Sequence, residues 1–391
     1  MPALKPKQTM SLTLLQVSNK RELKEFIDFP NRLYENCANW VPALAADEYA
    51  TLDPLKNAAF QHCRAVYFLA RKDNRTVGRI AGIINDKANA TWGENTVRFG
   101  WYDMEDDIRI SKTLIQAVAD WGRSQGMTTI KGPLGFSDMD KEGLLVDGFE
   151  NLPSITTLYN HPYYGEHLEQ LGFSKDVDWT QRIMKVPEEV SERTQRFAKT
   201  IEEKVGVRML HPRSSSEVRK YGKGIFDLLN RSFHVLYEYS LLNDEQINAY
   251  IQQYLPFVHK DFVAIVLNQE DEVVGFAMTI PSLSKAMQKA KGRLFPFGFI
   301  HLLKGLRQRK LAELLMIGID PRYQNKGLNA LIFNYLHSNY IKQKVQWMVT
   351  NPQLEHNFAS QNLFSRFESS PYMRRRCYSA PLHELNLQGS R

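Results

Sequence analysis

The sequence predicts an α/β protein in which mixed, largely antiparallel sheets carry packed helices, built as two units of similar design. Three observations lead there. A strand, polar turn, strand passage recurs in each half of the chain. The elements that follow it repeat in order: an apolar strand, an amphipathic helix, a short strand and a later helix. Consecutive strands are joined by short polar turns rather than by helices, a pattern of antiparallel pairing that disfavours a doubly wound parallel sheet.

In the first half, RAVYFLARKDNRTVGRIAGIIND (Arg64 to Asp86) has period-2 apolar runs and turns at Lys72 to Arg75. NTVRFGWYDM then reads as a strand, Ile108 to Gln125 as a helix, Met127 to Lys131 as a strand, and a later helix ends in LEQLGF. In the second half, Asp261 to Ser282 turns at Asn268 to Asp271. It is followed by the strand LAELLMIGID, a helix from Gly327 to Lys342, the strand VQWMVT and the helix EHNFASQNLFSRF. Each second hairpin strand carries a Val-Gly pair, Val77-Gly78 and Val274-Gly275. The charged stretch Pro187 to Lys204 reads as a linking helix, which divides the chain into residues 1–190, a link at 191–204, and residues 205–391.

With 43% hydrophobic and 24% charged residues over 391 positions, the composition is that of a soluble globular protein. Fifty basic against 43 acidic residues leave +7, a modest attraction for anions that is too small to imply nucleic acid. Arg374 to Arg376 read as part of a solvated strand or tail. Cys37, Cys63 and Cys377 lack CxxC spacing, so neither a disulfide framework nor a zinc site is expected. The start, MPALKPKQTMSLTLLQV, lacks an apolar signal core, and no stretch approaches the roughly 20 apolar residues of a membrane span. A cytoplasmic protein without a membrane partner is expected. There is no HExxH, Gly-x-Ser-x-Gly or Walker loop, and the ten histidines are scattered in structural positions.

The stretch IDPRYQNKGLNALIF, Ile319 to Phe333, has the form of strand end, polar turn and helix start. A helix start offers unpaired N–H groups and a partial positive charge, and Gly327 lets a ligand approach the backbone. Ile-x-Pro-x-x-Gln-x-x-Gly between an apolar strand and an amphipathic helix resembles the acyl-CoA-binding motif of the GNAT N-acetyltransferase superfamily. Ile319, Pro321, Gln324 and Gly327 match; Asn329 stands where the family has Gly or Ala. The resemblance implies two tandem GNAT-like domains, with acetyl-CoA or another acyl-CoA as co-substrate and no metal. The strand edge from Met316 through Ile317 to Ile319 would bind the pantetheine arm. The backbone of Gln324, Asn325, Lys326, Gly327, Leu328 and Asn329 would take the diphosphate. Aligning NFASQNLF with the family's Asn-x-x-Ala-x-x-x-Tyr puts Asn357 on the Asn and Phe364 on the Tyr, so the family's usual acid is absent. In the first half, Glu105, Asp106 and Asp107 occupy the equivalent helix start, which repels a phosphate. Only the second half is expected to bind the co-substrate.

The loop Gly132 to Phe173 is rich in Gly, Pro and aromatic residues, and such long loops are often functional. Its phrases resemble a group of bacterial GNAT-like proteins with two acetyltransferase-type halves, over nearly the whole chain. Asp147, Tyr159 and Tyr163 are candidate acceptor-binding residues, with Tyr164, Asn160 and Tyr372 as candidate catalytic groups. The alternative is that the tyrosines pack the loop onto its domain. Glu238 and Glu313 are candidate bases, or plain surface carboxylates. The insertion Lys285 to Lys310, apolar at Leu294 to Leu303 and flanked by cations, could form an interfacial membrane helix, but Pro296, Gly298 and its short length weigh against that, and it is expected to fold over the second unit and shape the acceptor pocket. The reading is an acyl-CoA-dependent N-acyltransferase for the amine of a small molecule or peptide near the interface of the halves. Its alternatives are a non-catalytic CoA-binding module and a Fem-like transferase that uses aminoacyl-tRNA. The sequence sets no oligomeric state.

Overall fold

A computed structural model of the chain describes residues 12–255, 258–364 and 367–387. Most of the segment read for a signal core, residues 1–11, lies outside these, as do Ser365 and Arg366 of the last helix pattern.

The first half supplies strands β1 (Leu12–Gln16), β2 (Cys63–Lys72), β3 (Arg75–Asn85), β4 (Thr96–Met104), β5 (Thr129–Gly132), β6 (Leu144–Asp147) and β7 (Ser174–Lys185). The second supplies β8 (Arg208–Met209), β9 (Val263–Leu267), β10 (Val273–Pro281), β11 (Leu311–Ile319), β12 (Trp347–Val349), β13 (Gln353–Leu354) and β14 (Ser369–Pro381). Among the described residues they form one sheet in the order β1-β2-β3-β4-β5-β14-β7-β12-β11-β10-β9-β8, with β6 on β14 and β13 on β7. Most pairs are antiparallel; β4 with β5 and β11 with β12 are parallel. The last strand returns to the first half, pairing Tyr378 with Gly132 on β5 and Cys377 with Val177 on β7.

The hairpins form where expected, for a local reason. Asp73 and Asn74 between β2 and β3 both adopt positive φ (50° and 60°), the conformation that matches strand twist in a tight hairpin and suits Asp and Asn. The Val-Gly pair of β3 also has a packing role. A Cβ on Gly78 would lie 2.8 Å from Ile110 Cγ2, so glycine lets the helix Ile108–Ser124 settle directly on the sheet. Val77, Ile80, Phe99, Leu114 and Val118 make the core of that contact. In the second half Val266, Val274, Leu331, Ile332 and Leu336 play the same part beneath the helix Leu328–Gln343. A third core lies on the other face of β9 and β10, where Phe226 and Leu229 of the helix Gly222–Phe233 meet Ile265 and Phe276. No helix among the described residues is long and apolar enough to cross a membrane. Cys37, Cys63 and Cys377 are free thiols.

The arginine run corrects one expectation. Arg375 on β14 is 1% exposed and donates to Leu158 O at 3.1 Å, while Arg376 clasps Asp178 through Nε (2.8 Å) and Nη2 (3.0 Å). Strand pairing on both sides takes Arg375 into the protein, while Arg374 stays exposed.

A buried charge cluster ties the halves together. Glu238, 4% exposed, accepts from Arg98 Nη2 of β4 and Lys131 Nζ of β5, each at 2.8 Å. It is therefore neither a surface carboxylate nor a free base. Burial pushes its carboxyl up, but Arg98 and Lys131 outweigh that and hold it below its usual range. A lowered carboxylate contributes stability that is present at neutral pH and is lost as pH falls through its folded value. Removing the charge leaves Arg98 buried without an ion-pair partner among the described residues, while Lys131 keeps Glu94 at 2.8 Å. Glu238→Gln is therefore expected to lower the unfolding free energy at pH 7 by about 3–5 kcal/mol. In urea titrations the gap to the parent should narrow below about pH 4, where the carboxylate protonates; a constant gap would contradict the pairing.

Candidate active site

The site begins where two strands part. β11 pairs with β12 only over Leu311 to Glu313, against Trp347 to Val349. Beyond Val349 the chain turns toward β7, where β13 pairs with Thr180 and Trp179, while β11 continues to Ile319 with β10 alone beside it. The β10–β11 register also slips between Met278 and Thr279, leaving Leu315 without an opposite residue, and such bulges bend a strand. The wedge between β11 and β12 opens into a cavity of about 1570 Å³ along Leu315 to Ile319. That exceeds the roughly 300–1,000 Å³ of ordinary ligand pockets.

At one end lies the polar turn. Asp320, 1% exposed, accepts from Arg322 through its amide (3.0 Å), Nε (2.9 Å) and Nη2 (3.0 Å), and from Arg231 Nε at 3.2 Å. Those bonds hold its carboxyl below the usual range and fix the exit of β11. A short 3₁₀ turn, Pro321–Tyr323, leads to Asn325 (φ 60°) and Gly327 (φ 89°), and then to the helix Leu328–Gln343. Among the described residues, the amide N–H groups of Asn325 to Asn329 have no protein acceptor. The turn presents a row of open donors at a positive helix end.

Ile317, Ile319, Gln324, Asn325, Gly327, Leu328, Asn329 and Asn357 all border the cavity. Lys326 does not; its Nζ sits 5.1 Å from the Tyr323 ring centre. The helix Glu192–Val205, expected as a link, packs over the turn, and a Cβ on Gly327 would lie 2.8 Å from its Ile201 Cδ1. Through this packing Arg193 and Arg196 also reach the cavity rim. Their sequence context is a charged surface helix, which gave no sign of a site.

The other end is formed by the first half's loop, through residues not singled out from the sequence: Asp138, Asp140, Glu142, Thr156 and Thr157. Asp140 accepts from the amides of Phe136 (2.8 Å) and Ser137 (3.1 Å), so it organises the loop. Asp138 Oδ1 and Glu142 Oε1 are buried with no hydrogen-bond partner among the described residues. Burial pushes Asp138 up to about 7 against the pull of Arg98. Burial, and the neighbouring Asp138, push Glu142 well up too. The visible trace was three carboxyl residues in five positions, Asp-Met-Asp-Lys-Glu, within a glycine-bearing loop.

The candidates drawn from that loop, and Tyr372 of β14, lie away from this cavity. Tyr164 is fully buried, its hydroxyl 2.8 Å from that of Tyr34 and accepting from the Met104 amide at 3.1 Å. Asn160 bridges both backbone groups of Leu145 (2.7 and 3.1 Å). Tyr163 donates to Met104 O (2.7 Å), Tyr159 to Phe149 O (3.1 Å) and Tyr372 to Leu152 O (2.7 Å). Asp147, at the end of β6, accepts from the Gly148 amide at 3.1 Å. None borders the cavity. The rings pack the loop onto the first core, and backbone groups occupy the hydroxyls and amide.

Glu313 is also no surface group. It is 3% exposed, bonded to Ser154 Oγ at 2.5 Å, with its carboxyl raised by burial. Phe364 is buried in the second core, 5.3 Å from the Phe333 ring centre. The insertion between β10 and β11 does not border the cavity either; it packs on Val41, Leu44, Leu152 and Ile155 of the first half.

Two outcomes follow. Gly327→Ala, strained at positive φ, is expected to lose about 1–3 kcal/mol of stability, and adding Ile201→Ala should recover only the part due to contact; full recovery would remove the backbone explanation. A carboxyl raised by folding contributes stability that is complete below its unfolded pKa and is lost as pH rises through its folded value, here about 7 for Asp138. Thermal melts of Asp138→Asn should therefore show less loss of Tm than the parent between about pH 4 and pH 7.

No family model matches the chain. Protein YghO of Escherichia coli is 27% identical over 370 residues, covering 92% of this chain and 93% of that protein. A bacterial ceramide synthase of Caulobacter vibrioides is 27% identical over 318 residues, covering 80% of this chain and 82% of that protein. Among solved structures, a tandem GNAT protein from the clavulanic acid biosynthesis pathway superposes with a TM-score of 0.54 at 13% identity, covering 95% of this chain and 99% of that one. A GCN5-related N-acetyltransferase from Sphaerobacter thermophilus gives 0.51 at 10% identity, over 94% and 96% of the two chains. With both halves matched end to end, the protein has the fold of the GNAT superfamily in its tandem form.

Proposed function

We propose that the protein is an acyl-CoA-dependent N-acyltransferase that transfers an acyl group directly to the amine of a small molecule. One observation carries the reading: a single cavity joins a turn of open amides in the second half to unpartnered carboxyls in the first. In this reading the diphosphate of the co-substrate lies on the amides from Asn325 to Asn329, with Arg193 and Arg196 beside it. The pantetheine arm pairs as a short strand with the open edge of β11. That direction brings the thioester into the body of the cavity.

The acceptor enters as an ammonium and is held by Asp138 and Glu142. It gives one proton to a carboxylate and becomes a nucleophile. Its lone pair attacks the thioester carbonyl carbon; the C–N bond forms, the C–S bond breaks, and the second amine proton leaves with sulfur as the thiol. Holding both reactants in one desolvated channel supplies the positioning that direct transfer requires.

The cavity wall favours a narrower version. Leu229, Phe233, Leu236, Met278, Leu354 and Leu363 face its interior, more apolar surface than an acetyl group and a small polar amine would need. The relative named a ceramide synthase points the same way, since a ceramide is an N-acylated long-chain amino alcohol. We take a long-chain acyl donor, a long-chain amine, or both as the substrates.

The test follows thiol release from acyl-CoAs of increasing chain length over an amine panel that includes long-chain amino alcohols. Turnover should rise with chain length. Asp138→Asn with Glu142→Gln should lower kcat by about 10²–10⁴-fold while CoA binding by calorimetry is kept. The parent's kcat/KM should climb with pH through about 7, where Asp138 ionises. Binding without release for any amine would leave a CoA-binding module; no binding at all would end both readings.

A further inference from the structure

The insertion between β10 and β11 forms two short helices, Ser284–Ala290 and Gly298–Gly305. Their inner side is well anchored. Leu302 is buried, with Leu294 and Leu306 half-buried, against Leu283, Met287 and the first half's Val41 and Ile155. Gln288 Nε2 donates to Ala38 O (2.7 Å) and Trp40 O (2.9 Å), and Gly292 O accepts from the Ala45 amide at 2.9 Å. The outer side is of opposite character. Phe295 (79% exposed), Phe297 (68%), Phe299 (42%), Ile300 (37%) and Leu303 (56%) stand together in solvent within nine positions.

Charge surrounds this patch on both flanks. Residues 282–312 hold eight cations, Lys285, Lys289, Lys291, Arg293, Lys304, Arg307, Arg309 and Lys310, and no acidic residue. That local excess is larger than the +7 of the whole chain, so the rest of the protein is close to neutral. Among the described residues only Arg293 has an ion-pair partner, Asp28 at 3.7 Å. Single exposed apolar side chains are ordinary, but a group of five flanked along the chain by cations, all but Arg293 without an ion-pair partner among the described residues, marks an interaction surface.

We propose that this insertion docks the protein onto an anionic membrane surface. The aromatic and aliphatic side chains would enter the boundary between headgroups and acyl chains, while the long Lys and Arg stems carry their charges back to the headgroups. A second copy of the chain fits poorly, because a symmetric contact would bring two positive patches face to face. The proposal stands apart from the acyltransferase reading, since none of these residues borders the cavity.

Flotation of the full chain with vesicles of phosphatidylcholine, with and without added phosphatidylglycerol, tests it. Partitioning should be at least tenfold stronger onto the anionic vesicles and should fall sharply as salt rises from about 0.05 to about 0.5 M. Phe297→Ser with Leu303→Ser should weaken it at least tenfold with an unchanged melting temperature, and Lys289→Glu with Lys304→Glu should remove the preference for anionic lipid. Equal binding to both vesicles, binding to neither, or variants that bind like the parent would overturn the proposal. So would a concentration-dependent dimer that the Phe297→Ser, Leu303→Ser variant disperses without any vesicle binding.

Discussion

The parting of β11 from β12 after Glu313 is the constraint on which the site depends. A strand inside a protein normally finds partners on both edges, because an unpaired N–H or C=O away from water is costly. Here β11 is kept extended by its ladder with β10 and by the bonds that hold Asp320 at its end. β12 is drawn the other way by β7, which also holds β13. The strands therefore separate, leaving a wedge with one edge of open backbone groups. A ligand with its own amides is the natural complement to such an edge, and the turn at its end supplies donors for an anion.

How far this was legible depended on how local each signal is. The hairpins and their helices were readable because period-2 runs, turn residues and helix starts are written within a few positions, as at Asp73-Asn74. The insertion of β14 between β5 and β7 was not, since its partners lie far away in the chain and nothing in SSPYMRRRCYSAP names them. Arg375 illustrates the consequence. Three consecutive arginines look solvated in sequence, and only pairing on both sides puts the middle one in the interior.

The two ends of the site divide in the same way. The turn from Gln324 to Asn329 was readable as a turn because its geometry follows from a strand end, a glycine and a helix start. Burial, in contrast, is a long-range property, and it decided the other end. Tyr164, Tyr163 and Asn160 carry groups that suit a pocket lining or a packed loop equally well, and the backbone of Met104 and Leu145 takes them. Asp138 and Glu142, which look like ordinary loop carboxylates, are left without partners beside the cavity, as are Asn334 Oδ1 and Asn351 Oδ1.

Why they remain unpartnered follows from Arg98. Its guanidinium donates to Gly135 O at 3.2 Å and to the carboxylate and carbonyl of Glu238, so its hydrogen-bonding capacity is directed away from the other two acids. Arg98, engaged with Glu238, makes no ion pair with the other two acids. Glu238, accepting from both Arg98 and Lys131, is held down, while Asp138 and Glu142 are pushed up in the same neighbourhood. In the proposed reaction an incoming ammonium supplies the missing positive charge. The same desolvation that raises the acids lowers the basicity of a buried amine, so the neutral pair of acid and amine gains on the ion pair. The neutral amine is the form that attacks a thioester. A cavity with partnered carboxylates would bind the ammonium less well, and a solvated one would leave it protonated; a desolvated, unpartnered pair is suited to both binding and deprotonation.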